Sequence, residues 1–264
     1  MQTRKISVTA VSYLNTKPLL YGIIASGLAE QIDLQLDIPS VCAQKLKAGQ
    51  VDLGLVPVAV IPELSSPHII SDYCIGSEGA VRTVAVFADR PLEQLKRIFL
   101  DHHSRTSVEL IRVLLREYWQ VEPVLTPASE GYIGQIRGAT GGLVIGDRAI
   151  GLEQRHPYVY DLGAAWTDHT GLPFVYAAWV SNRQLAPEFL LRFNLALHRG
   201  LLEIPQLIYL LPPPHPGFDL QTYFTRHISY EFNADKRRAL ALFFKKTGWP
   251  LPAALAESLR AVDR

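Results

Sequence analysis

Two strand-to-helix turns and one glycine-serine loop hold residue types suited to gripping a small anion. The first turn is Val11-Ser12-Tyr13-Leu14-Asn15-Thr16-Lys17-Pro18. Ser12, Asn15 and Thr16 offer neutral hydrogen-bonding groups, and the start of a helix adds free N–H groups that attract negative charge. The same Asn15 or Thr16 would serve equally well as a plain helix cap. The second turn is Asp101-His102-His103-Ser104-Arg105-Thr106-Ser107. Its hydroxyls and guanidinium could cradle a carboxylate, whereas the plainer reading is an N-cap followed by an exposed arginine. The loop, Gly76-Ser77-Glu78-Gly79, would let backbone approach a ligand closely and Ser77 donate to it. It would also pass for an ordinary turn.

Other chemistries lack their residues. His102 and His103 are adjacent, but no third ligand stands at metal-binding spacing, so no metal is expected. Gly141-Gly142-Leu143-Val144-Ile145-Gly146-Asp147 carries neither a P-loop lysine nor a dinucleotide glycine pattern. There is no G-x-S-x-G elbow and no H-E-x-x-H pair.

The elements that must position these turns alternate. Ile6–Val11 reads as a short apolar strand, residues 17–26 as a helix stopped by Gly27, and Ile32–Ile38 as a half-buried strand. Val41–Ala48 reads as a helix ended by Gly49, and Val51–Val56 as the next strand. This βαβαβ rhythm predicts a mostly parallel sheet covered by helices. A second unit follows: strands at Val81–Ala88 and Ile98–Leu100, a helix from the second turn through Tyr118, then strands at Leu143–Ile145 and Phe174–Val180. Pro187–Ile204 and Ala234–Lys246 read as amphipathic helices, separated by Pro212-Pro213-Pro214-His215-Pro216-Gly217. One sheet unit inserted within another predicts a two-lobed α/β clamshell with a mixed, mostly parallel sheet in each lobe. Residues 1–86 plus 181–264 would form one lobe and 87–180 the other. The crossings would fall near Phe87 and Trp179, with a small ligand bound between the lobes.

Composition agrees with a globular protein. The 264 residues are 48% hydrophobic and 19% charged, with a mean hydropathy of +0.10. Folding would bury about 70% of the chain's surface, enough for a core without disulfides or metals. A net charge of +1 gives no reason to expect nucleic-acid or membrane-surface binding. Only Cys42 and Cys74 occur, which suits a reducing compartment. Met1–Val11 lacks the apolar run and cleavage site of an export signal, so a cytoplasmic location is expected. Monomer and homodimer both remain compatible with the sequence.

Taken in order, Ser12-Tyr13-Leu14-Asn15-Thr16, Gly49–Pro57, Ile75–Val81, Ser104–Ser107, Ile145-Gly146-Asp147, Asp161-Leu162-Gly163, Trp166 and Thr170–Phe174 resemble the chorismate dehydratases of the futalosine route to menaquinone. The resemblance spans nearly the whole chain. It implies a type II periplasmic-binding-protein fold turned into a cofactor-free cytoplasmic lyase, which takes chorismate to 3-[(1-carboxyvinyl)oxy]benzoate and water. It also implies that Asn15 and Ser77 lie nearest the chemistry. Ser12, Tyr13, Thr16, Gly76, Ser104, Arg105, Thr106, Ser107 and Asp147 would hold the substrate. His103 departs from the pattern, standing where many relatives have a small hydroxyl residue. The same architecture also serves a sibling dihydroxynaphthoate-forming lyase and binding proteins that catalyse nothing.

Overall fold

The computed structural model describes residues 4–251 and 256; residues 1–3, 252–255 and 257–264, which the expected first lobe includes, lie outside the described residues. The chain opens as the hydropathy pattern predicts. Strand β1 (Ile6–Val11) pairs in parallel with β2 (Ile32–Asp37) and β3 (Leu53–Pro57). Helices α1 (Lys17–Ala25) and α2 (Pro39–Lys47) make the crossovers, each with proline in its first turn, where the missing N–H costs nothing. Strand β4 (His68–Ser77) then extends through the segment read as a glycine-serine loop, so Gly76 and Ser77 are strand residues.

The second sheet begins with β5 (Val84–Ala88). It continues through β6 (Arg97–Leu100), β7 (Val124–Pro127), β8 (Thr140–Ile145) and β9 (Tyr158–Asp161), in the spatial order β7-β6-β8-β5-β9. Helix α3 (Arg105–Leu114) leaves β6 and ends in a π-helical turn at Leu115–Trp119; α4 (Leu162–Thr170) follows β9. The chain returns as β10 (Phe174–Ser181). Helices α5 (Pro187–Leu202), α6 (Ile204–Leu210) and α7 (Leu220–Thr222), strand β11 (Ser229–Glu231) and helix α8 (Ala234–Thr247) complete it. The first sheet runs β11-β4-β10-β3-β1-β2.

Two expectations change. Strand β10 belongs to the first sheet, pairing antiparallel with β3 (Ala178 opposite Val56) and with β4, whereas β5 pairs with β8 and β9 in the second. The crossings therefore precede Val84 and Phe174 rather than following them. All eight residues of β10 are buried, and with β3 and β4 beside it the strand has the neighbours on both sides that such a backbone needs. Parallel pairing is likewise confined to β1 with β2 and β3, and to β6 with β7 and β8. The other pairs are antiparallel, so both sheets are mixed but neither is mostly parallel.

Helix α8 ties the lobes behind the sheets. Phe243 packs edge-on to Phe174 at 5.1 Å and to Trp166 of α4 at 6.1 Å. Lys246 donates to Glu117 at the end of α3; burial pushes that carboxyl up, but hydrogen bonds from Lys246, Arg116 and His169 bring it down to about 2. No helix among the described residues is long and apolar enough to cross a membrane.

Helices α1 and α5 cross backbone against backbone. A Cβ on Gly200 would lie 2.0 Å from the carbonyl oxygen of Pro18, and one on Gly22 would lie 2.0 Å from that of Ala196. Such contacts cannot be relieved by a side-chain rotation. Gly200→Ala should therefore destabilise the protein by about 3 kcal/mol, measured by urea unfolding, while Gly134→Ala, whose Cβ meets nothing within 4 Å, should change it little.

Candidate functional site

The first candidate turn folds as a 3₁₀ segment, Leu14–Thr16, between the carboxyl end of β1 and α1. Neither Asn15 nor Thr16 caps the helix: Thr16 occupies the N-cap position without a side-chain cap bond, and its Oγ1 donates instead to Oδ1 of Asn15 at 3.2 Å. The Asn15 carbonyl accepts from the Tyr230 hydroxyl of β11 at 2.9 Å. Asn15 is thus fixed from both sides, which leaves its amide nitrogen to a ligand.

The second lobe closes onto this turn. Both oxygens of Asp147 accept from the Leu14 N–H, at 3.0 and 3.1 Å. The Tyr13 ring lies over Gly146, and its hydroxyl bonds Nδ1 of His103 at 2.8 Å. Burial pushes the Tyr13 phenol up to about 12, and burial likewise raises the Asp147 carboxyl against the pull of the Leu14 N–H.

Between the lobes lies a narrow cleft lined from the first lobe by Tyr13, Asn15, Thr16, Tyr176 and Ala177, and from the second by Thr83, Ser104, Ser107 and Gly146. Its free space is about 50 Å³, room for a few waters and not for a ring-sized ligand. Admission of such a ligand requires the lobes to part, which would break the Asp147–Leu14 and His103–Tyr13 contacts across the cleft.

Of the expected residues, the fold gathers Tyr13, Asn15, Thr16, Ser104 and Ser107 on the cleft, with Asp147 at its edge. Ser12 is exposed beside it. Thr106 is buried and uses its hydroxyl to accept from the Ala59 N–H. Gly76 is hemmed in: a Cβ there would lie 2.6 Å from the Phe174 carbonyl oxygen. Ser77 is fully buried, its Oγ 3.4 Å from the Tyr176 hydroxyl.

Arg105 departs from expectation. Ser104 caps α3 by accepting from the Ser107 N–H at 3.1 Å, and Arg105 points outward to Glu63 at 2.5 Å with more than half its side chain exposed. The plain N-cap reading describes this turn. The residue after an N-cap begins the helical face, and Glu63 on the adjoining segment draws the guanidinium away from the cleft.

The guanidinium beside the cleft is that of Arg148, which sequence reading passed over although it follows Asp147. Its Nη2 bonds both oxygens of Asp101 at 2.7 and 2.6 Å. Asp101 is 1% exposed and also accepts from the Tyr132 hydroxyl and the Ile145 and His103 N–H groups. The Nε of Arg148 is buried without a partner among the described residues. His102 and His103 pack ring to edge at 4.4 Å, and no group of three or more His, Cys, Asp or Glu able to hold a metal occurs among the described residues.

His103 should make closure pH-dependent. Burial, and then the nearby Arg148 charge, hold its imidazole below the ordinary 6.5. The folded state therefore disfavours the imidazolium, and the stability this contributes above that value is lost as pH falls through the lower folded value. The wild-type melting temperature should drop more steeply from about pH 7 to about pH 5 than that of His103→Gln, which cannot titrate; parallel curves would remove His103 from the closure.

Comparison with known proteins gives the family. The Thermus thermophilus chorismate dehydratase is 30% identical over 193 residues, 66% of this chain and 69% of that protein. A solved protein of Archaeoglobus fulgidus superposes with a TM-score of 0.71 at 15% identity, covering 94% of this chain and 98% of the other. The alkanesulfonate-binding protein of Xanthomonas axonopodis pv. citri, solved with MOPS bound, gives 0.64 at 12% identity over 98% of each chain. These two likenesses establish the periplasmic-binding-protein fold. The family model for menaquinone biosynthesis matches residues 6–248, and the chain belongs to that family.

Proposed function

We propose that this protein is a chorismate dehydratase, converting chorismate to 3-[(1-carboxyvinyl)oxy]benzoate and water on the futalosine route, in the cytoplasm. The observation that carries the reading is Asn15, which lines the inter-lobe cleft with its amide oxygen and its backbone carbonyl both engaged. The relative named for this activity supports it.

The chemistry asks for what the cleft offers. Chorismate carries a ring diene conjugated to its carboxylate, so the ring C–H beside the enolpyruvyl ether is acidic through the conjugated system. Removing that proton and the neighbouring hydroxyl makes the ring aromatic, a redox-neutral change with a strong driving force. The protein must hold a dianion, exclude bulk water and stabilise charge spreading onto the ring carboxylate. Asn15, Thr16, Ser104 and Ser107 are uncharged groups on the cleft wall, and closure of the lobes would exclude solvent.

No Glu, Lys or His lines the cleft, so the proton acceptor in this reading is the substrate's own enolpyruvyl carboxylate. Asn15 orients that carboxylate, and the Ser77 end of β4 assists departure of the hydroxyl.

Purified protein given chorismate should develop the ultraviolet spectrum of a substituted benzoate. Asn15→Ala should lower kcat about 100-fold with a smaller change in KM. Unchanged turnover by Asn15→Ala or Asn15→Asp would remove Asn15 from the chemistry. Tight binding of chorismate without turnover would instead make this a receptor.

A further inference from the structure

Ser77, 0% exposed, has a hydroxyl-bearing neighbour on the adjoining strand. The Tyr176 hydroxyl lies 3.4 Å from Ser77 Oγ, and Tyr176 is one of the residues lining the cleft. Tyr176 sits at an irregularity in the sheet: Val175 pairs with Gly76 and Ala177 with Ile75, so Tyr176 has no residue opposite it on β4. A bulge of this kind re-aims one side chain out of the normal alternation.

The ring is clamped. Phe174 packs edge-on to it at 4.8 Å, and the first turn of α4 passes so close that a Cβ on Gly163 would lie 2.8 Å from the Tyr176 hydroxyl oxygen and 2.7 Å from Ser77 Oγ. Among the described residues the hydroxyl's one hydrogen-bond partner is Ser77 at 3.4 Å, long beside the usual range of about 2.5–3.0 Å for O–H···O. Buried phenols ordinarily find a closer partner than this. Burial, with the Asp161 carboxylate adding to it, holds its pKa well above the ordinary value and keeps the proton in place at neutral pH.

We infer that Tyr176 is the hydrogen-bond donor that meets the departing ring hydroxyl, and that Ser77 acts through it as the group that positions the phenol. This rests on the dehydratase reading above. As the C–O bond breaks, its electron pair goes to the oxygen, where the Tyr176 O–H stabilises it. The C–H electron pair becomes the new ring double bond. The proton passes from ring carbon to the substrate's carboxylate and on to the departing oxygen, which leaves as water. Tyr176 keeps its own proton, and no further reactant is needed.

The test compares wild type, Tyr176→Phe and Ser77→Ala on chorismate. Phenylalanine keeps the packed ring and removes only the donor. Tyr176→Phe should lose about 100-fold in kcat with KM changed about threefold or less. Ser77→Ala should lose less, and the double variant no more than Tyr176→Phe alone. Near-wild-type turnover by Tyr176→Phe, or a greater loss in Ser77→Ala, would overturn the assignment. If Tyr176→Phe does not fold, 3,5-difluorotyrosine at position 176 replaces it. Its more acidic phenol should shift the upper limb of the kcat profile to lower pH, and an unmoved profile would count against the role. Should wild type bind chorismate without converting it, the dehydratase reading fails on its own. Calorimetric binding then decides: about tenfold weaker chorismate binding by Tyr176→Phe upholds the donor, and equal binding overturns it.

Discussion

A carboxylate of one lobe resting on a backbone N–H of the other is the contact around which this molecule is arranged. The 3₁₀ turn at Leu14–Thr16 is too short to satisfy its own leading N–H, and no side chain caps the helix that follows. Asp147 fills that need across the cleft. The contact lays Tyr13 over Gly146 and brings the turn bearing Asn15 against the second lobe. Its energetics suit a closure that must reverse. Burying the carboxylate is costly enough to raise its pKa, and a single N–H offsets only part of that cost. A contact of this strength orders the closed form without locking it.

The charge distribution around the cleft follows one logic. Arg148 is the guanidinium beside the site, yet Asp101 already balances it, and Asp101 in turn is saturated by a phenol and two backbone N–H groups. Arg105 is held off by Glu63. The polar side chains lining the cleft are an amide, hydroxyls and phenols. Uncharged donors in a dry cleft can stabilise developing negative charge without having to be stripped of a tightly bound counter-ion first.

Local pattern determined much of the architecture. The alternation of β1, α1, β2, α2 and β3 is visible in apolar periodicity and in the prolines and glycines that start and stop helices, because those signals act over a few residues. The turn bearing Asn15 is placed by the same logic, at the edge where a strand hands over to a helix. Ser104 as a cap and Arg105 as the outward residue behind it also follow from short-range rules.

Contacts between residues distant in the chain decided the rest. That β10 returns to the first sheet depends on partners in β3 and β4 about a hundred residues earlier, and an apolar run carries no mark of which sheet it will join. Asp147 meets Leu14 because lobe closure brings those ends together, and Arg148 is held beside the cleft by Asp101, 47 residues earlier in the chain. Tyr176 stands in a stretch that reads as buried strand; only the folded sheet shows that a register shift leaves it unpaired on β4 and that it lines the cleft. Residue types set which groups were available for the chemistry, while strand pairing and closure of the lobes chose among them, since both depend on surfaces that exist only after the chain has folded.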